Sequence, residues 1–178
     1  MTSFFTRLAR PDETDAIWAL SDQAFGLAFN SSYESRLIRA LQADGDSLLL
    51  LVAEADNGSI VGHTEFFLIW IDARPLAAGL GPMSARPGRQ KTGIGSHLVR
   101  TGLEEFDTLG ETIVFVLGDA ACYPRFGSNT ATAAPFTVPW SGPPCMASAL
   151  PKAARPPARS PIPGPSQADR QIACRSRR

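Results

Sequence analysis

Residues that build metal or disulfide frameworks are scarce. Among 178 residues three are cysteine (Cys122, Cys145, Cys174) and two are histidine. An odd, widely spaced cysteine set with no CxxC pair supports neither a disulfide framework nor a zinc cluster. His63 and His97 have no Cys or Asp at ligand spacing, so no metal is expected. Long apolar runs are missing too. No segment approaches the roughly 18 residues of a membrane helix, and Met1–Arg7 lacks the apolar stretch of a signal peptide. These absences predict a soluble, cytoplasmic protein with no membrane partner.

Net charge is absent as well, with 17 basic and 17 acidic side chains. That zero joins two opposites. Residues 151–178 hold seven basic groups (Lys152, Arg155, Arg159, Arg170, Arg175, Arg177, Arg178) and one acid, Asp169, for a net of +6, which leaves residues 1–150 at −6. The same segment carries six of the fifteen prolines, no aromatic ring, and only Ile162 and Ile172 as larger aliphatics. It cannot bury enough surface to offset its ordering entropy, so it is read as a disordered tail behind one domain of residues 1–150. Without aromatic rings for base stacking, the tail is not expected to bind nucleic acid.

What is present has a legible order. Phe4–Leu8 reads as a strand, and Pro11-Asp12-Glu13 opens a helix with Ile17, Leu20, Ala24 and Phe25 on one face. A second helix from Ser32 sets Tyr33, Leu37, Ile38 and Leu41 together and ends near Gly45. Ser47–Ala55 and Ile60–Ile71 form a hairpin about Asn57-Gly58. A strand over Ala77–Ala85, broken by Gly79, Gly81 and Pro82, precedes a loop and a helix bearing Ile94, Leu98, Leu103, Phe106 and Leu109. Thr112–Leu117 reads as a central strand buried on both faces, and Cys145–Leu150 as the last one. The order β-α-α-β-β-β-α-β-(short helix)-β predicts an α/β (α+β) fold with a mixed sheet and helices on both faces.

The loop Arg86–Ser96 joins a strand to a helix N-terminus, where free amides and the helix dipole favour an anion. Gly93 and Gly95 let a phosphate approach the backbone, with Arg86, Arg89 and Lys91 nearby. A solvated turn is the alternative. Walker A and the dinucleotide fingerprint are both excluded, since neither Gly-Lys-Ser/Thr nor the third glycine is in place.

Gln90-Lys91-Thr92-Gly93-Ile94-Gly95, after a strand and a proline turn, resembles the acyl-coenzyme A loop of the GCN5-related N-acetyltransferases (GNAT), with its Gln/Arg-x-x-Gly-x-Gly/Ala pattern. Phe4–Phe25 resembles that family's opening strand and helix. Val116-Leu117-Gly118-Asp119 with Tyr123-x-Arg125-Phe126-Gly127 is similar to the tyrosine-bearing turn of a bacterial branch of predicted acetyltransferases. The closing Pro143–Ala147 is similar to the end of that branch, so the resemblance spans residues 1 to about 150.

The resemblance implies a mostly antiparallel GNAT sheet and an acetyl-CoA-dependent N-acetyltransferase acting directly on a primary amine, in a small molecule or a peptide. A homodimer stays open. Met83, Ser84 and Ala85 would take the pantetheine arm of acetyl-CoA through their backbone. Gln90, Lys91, Thr92, Gly93, Ile94, Gly95 and Ser96 would cradle the pyrophosphate. Tyr123 would protonate the departing thiolate, the alternative being a packing tyrosine. Glu65 and Asp119 are candidates for the base, each with the alternative of a surface or hydrogen-bonded polar group. Phe25, Phe29 and Tyr33 would border the acceptor, or pack the core. Relatives usually carry tyrosine at Cys122 and phenylalanine at Ser128, and an uncompensated buried Phe-to-Ser change costs on the order of 3 kcal/mol. That departure keeps a second function in view, a catalytically weak acyl-CoA-binding regulatory domain of the same fold.

Overall fold

The computed structural model describes residues 3–29, 32–71, 74–108, 113–136, 138 and 144–150, with the backbone alone at 27–29, 71 and 74–76. The proposed tail, Leu109, Thr112, Pro143 and the side chain of Phe29 lie outside the described residues.

Six strands form one sheet in sequence order: β1 (Phe4–Leu8), β2 (Ser47–Ala55), β3 (Ile60–Ile71), β4 (Arg74–Ala85), β5 (Ile113–Leu117) and β6 (Cys145–Ala149). All neighbours are antiparallel except β4 and β5. Only that parallel pair needs a long crossover, and α3 (Ile94–Thr108) supplies it. The expected mixed, mostly antiparallel sheet is what forms.

Two helices and α3 cover opposite faces. A 3₁₀ turn at Pro11–Glu13 leads into α1 (Thr14–Phe29), and α2 (Tyr33–Asp44) ends at Gly45, whose φ of 73° lets its amide reach back to the last helical carbonyls. From α1 and α2, Ile17, Leu20 and Ile38 pack on Val52 and Ile60. From α3, Ile94, Leu98, Val99 and Phe106 pack on Leu49, Leu51, Phe66, Leu80 and Val116. The α3 contact is close because Gly102 has no Cβ, which would fall 2.1 Å from the Phe66 ring, itself stacked on Phe106 at 4.9 Å between centroids.

β5 alternates as expected, with Val114 and Val116 toward α3 and Ile113 and Phe115 toward the other face. Two details differ from the sequence reading. Leu117 is 45% exposed and Tyr33 is 38% exposed. Leu117 lies at the end of β5 where β4 no longer accompanies it, and Tyr33 is the first residue of α2. A cluster of Arg7, Arg10, Glu13 and Glu54 ties β1 to β2 and to the first turn; Arg7 holds Glu13 down to about 2. Among the described residues no helix is long and apolar enough to cross a membrane.

Candidate active site

β4 leaves β5 before it ends. Its parallel pairing covers only Ala78–Leu80, whereas Met83, Ser84 and Ala85 pair with Thr64, His63 and Gly62 of β3. Pro82 carries no amide to continue a ladder, and the β3 register shifts between Thr64 and Phe66 opposite Gly81 and Pro82. Residues 83–85 therefore have one backbone edge bonded and the other facing a gap, a setting in which an extended arm can add itself as a strand.

The loop after β4 folds so that α3 presents its first amides to the same gap. Gly88 and Gly93 have φ of 81° and 94°, Lys91 has 60°, and the Thr92 hydroxyl donates to the Arg89 carbonyl at 2.6 Å. The first helical bond runs from the His97 amide to the Gly93 carbonyl at 3.0 Å. Helical geometry leaves the amides of Ile94, Gly95 and Ser96 without an acceptor inside the helix. Gly95 faces the Met83 sulfur, which a Cβ there would meet at 3.3 Å. The result is a cavity of about 460 Å³ lined by Met83, Ser84, Ala85, Gln90, Lys91, Gly93, Gly95, Ser96 and Arg125. Free amides, a lysine and an arginine form a donor set suited to phosphate.

Eight of the predicted binding residues thus line one cavity. Two do not. The Thr92 hydroxyl is used inside the loop, and the Ile94 side chain is buried in the core beside Leu98. Arg86 does not add its charge to the cavity either, because its guanidinium donates to the Ile60 carbonyl at 2.8 Å. Arg125 was missed as a lining residue. It stands 29 residues beyond Ser96 in sequence, and only the crossover through α3 and β5 brings it back.

Tyr123 opens the 3₁₀ turn Tyr123–Phe126 after β5. Gly118 makes room for its ring, since a Cβ there would fall 2.2 Å from the ring edge. The phenol is not among the cavity's lining groups. Burial, then the neighbouring Cys122, push it up to about 12, with Arg125 opposing and Asp119 adding a smaller upward push. A thiol titrates near 8.5. Full proton transfer from this phenol to a thiolate is thus uphill, so the group is suited to donate a hydrogen bond to a thiolate rather than to protonate it.

Asp119 is an exposed turn residue. Its carboxylate accepts the Ala121 amide at 2.8 Å, and its carbonyl accepts from Cys122 and Tyr123. Glu65 is not the surface group that was one alternative in the sequence. It is 0% exposed, and neither carboxyl oxygen has a partner at good hydrogen-bond geometry, Ser47 being the polar side chain near enough to act on it. Burial pushes it up to about 7, with a small opposing pull from Ser47. His63, two residues earlier on the same face, is also fully buried and unpartnered, and burial lowers it to about 4. Ser84 lies directly across from His63, again unpartnered, and Ser21 on the buried face of α1 is the same. Four orphaned polar groups thus lie in the layer under α1, and Glu65 sits at the register shift where β4 turns away from β5.

The departures at Cys122 and Ser128 are both engaged. Ser128 is buried and shares a 2.7 Å hydrogen bond with Ser148 of β6, beside the bridge between Asn129 and Ala147. Cys122 accepts from the Arg125 guanidinium at 3.3 Å. Phe25 is half-buried on α1. Among the described residues no group of three or more His, Cys, Asp or Glu could hold a metal ion.

Comparison with known proteins agrees with this fold. The model of the acetyltransferase (GNAT) family matches residues 14–127. The uncharacterized N-acetyltransferase YhbS of Escherichia coli strain K12 is 31% identical over 116 residues, which cover 65% of this chain and 70% of that protein. A crystal structure of Escherichia coli YhbS in complex with CoA superposes with a TM-score of 0.76 at 27% identity, covering 85% of this chain and 83% of the other. A GNAT acetyltransferase from Brucella melitensis in complex with acetyl-CoA gives 0.71 at 30% identity, covering 87% and 94%.

Proposed function

The chain belongs to the acetyltransferase (GNAT) family, and on that premise we propose that it carries an acetyl group from acetyl-CoA directly to a primary amine, of a small molecule or a peptide, in the cytoplasm. The observation that carries this reading is the gap between β4 and β5, with an unpaired strand edge at residues 83–85 leading to the free amides of α3. The catalytic unit is residues 1–150.

Acetyl-CoA supplies an activated thioester. The amine nitrogen bonds to the acetyl carbon, the carbon–sulfur bond breaks, the amine gives up one proton to a base, and the sulfur leaves as a thiolate that takes its proton from water. Met83, Ser84 and Ala85 bind the arm by backbone pairing, and the amides of residues 93–96 with Gln90 and Lys91 hold the phosphates. With phosphates at the start of α3 and the arm running back from Ala85 to Met83, the thioester arrives opposite the β3 register shift. Glu65 is the group at that point, and a carboxyl held near 7 is matched to taking a proton from an amine at neutral pH. Tyr123 donates a hydrogen bond to the sulfur as charge develops there.

Release of free thiol from acetyl-CoA by the full chain, measured against a broad panel of primary amines, tests the reading. Amine-dependent release supports it. CoA binding with no amine-dependent release favours the acyl-CoA-binding regulatory domain, whose main support in the sequence, the Ser128 departure, is offset by the bond to Ser148.

A further inference from the structure

Eight of the nine residues lining the cavity come from the continuous segment β4–loop–α3; the ninth, Arg125, comes from the other lip of the gap. Its guanidinium has no carboxylate partner among the described residues. It is nevertheless held. The planar group lies over the Phe126 ring at 4.8 Å from the centroid, and one of its nitrogens donates to Cys122 Sγ at 3.3 Å. A thiol and an aromatic face satisfy a guanidinium poorly, and both leave most of its five N–H groups free. A cation preorganised in this way faces an oppositely placed helix N-terminus and Lys91 across one cavity, which sets three sources of positive potential around a space with no acidic lining residue.

We propose that Arg125 closes the diphosphate site from the β5 side, as a clamp that bridges the gap between β4 and β5 when the acyl donor binds, with Cys122 and Phe126 as its positioning residues. The proposal rests on the reading of the cavity as the acetyl-CoA site and adds a binding residue from outside the loop. Planar N–H pairs match two phosphate oxygens in a way that Lys91, a point charge, does not.

The test uses the full chain with CoA, 3′-dephospho-CoA and S-acetylpantetheine, the last lacking the diphosphate. Arg125→Gln is expected to weaken CoA binding in calorimetry and to raise the acetyl-CoA KM by about tenfold or more, the usual worth of a charge-assisted hydrogen bond. It should leave kcat within a few-fold. Dephospho-CoA should suffer the same loss, S-acetylpantetheine none, and Arg125→Lys should recover part of it. Equal binding of CoA by the wild-type and Arg125→Gln proteins overturns the clamp while leaving the acetyltransferase reading intact. A loss confined to donors that carry the 3′-phosphate overturns the diphosphate assignment. A loss that extends to S-acetylpantetheine means that the residue acts by holding the turn, and also overturns it. No CoA binding by the wild-type chain overturns the acetyltransferase reading itself.

Discussion

Glu65→Gln replaces a carboxyl with an amide of nearly the same shape, at a site with no solvent exposure and no partner at good hydrogen-bond geometry. In the unfolded chain the carboxyl releases its proton near the ordinary value of 4.5; in the fold it holds the proton until about pH 7. A carboxyl whose folded value is raised contributes stability that is whole below pH 4.5 and lost as the pH climbs through 7. An interval of roughly 2.5 pH units at 1.36 kcal/mol each is about 3 kcal/mol. Glutamine has no such loss. Relative to the wild type, the variant should therefore gain up to about 3 kcal/mol between pH 4.5 and pH 8. Comparing two pH values cancels the separate cost of burying an amide. Urea unfolding of both proteins at the two pH values reads the difference directly, and thiol release at pH 8 should fall by about 10²-fold or more. His63 works in the opposite sense, since its value is depressed to about 4. Its contribution is present above 6.5 and lost as the pH falls through 4, so the variant's own stability should rise between those values. A stability difference that does not change with pH refutes the desolvated carboxyl, and unchanged turnover removes Glu65 from the chemistry.

Other expectations concern the turn and the boundary. Tyr123→Phe should lower kcat by about 10²-fold, the scale for one donor aimed at developing charge, with the acetyl-CoA KM within about twofold; unchanged kcat would reduce Tyr123 to a packing residue. Ser128→Ala leaves the buried Ser148 hydroxyl without its partner and should cost about 1–3 kcal/mol in urea unfolding, whereas Ser128→Ala with Ser148→Ala should cost less than the single change. Truncation after Leu150 should leave the CoA dissociation constant unchanged in calorimetry, and a large loss would place part of the site in residues 151–178.

The elements of this fold were legible because local signals agreed with the final packing. Asn57-Gly58 closes the hairpin, Gly45 ends α2, and the β-branched run of β5 is buried on both faces. The phosphate loop was legible for the same reason: strand, glycines and helix are contiguous. What could not be read depends on distance. Arg125 reaches the cavity only through the crossover, and Glu65 stands at a register shift opposite Gly81-Pro82 that its own strand does not announce. Alternation gave the shared face of His63 and Glu65 but not its burial, since the covering layer comes from α1. Likewise, no local pattern shows that Ser128 faces Ser148, 20 residues on.

The seat of Gly102 on Phe66 makes α3 a lever. From that fulcrum to the free amides at Ile94 is eight residues, about 12 Å along the axis, while the adjacent strand runs from Phe66 back to Glu65. One side of the pivot therefore carries the groups that would hold the donor and the other the group that would meet the acceptor. Gly102→Ala must push the ring aside, since the added carbon would lie 2.1 Å from it. A rocking of α3 by 1 Å at its tip is enough to misalign reacting atoms at a cost of about 10²-fold in rate. An enzyme with every polar group of its site intact would then be slow for a reason located at a glycine in the core.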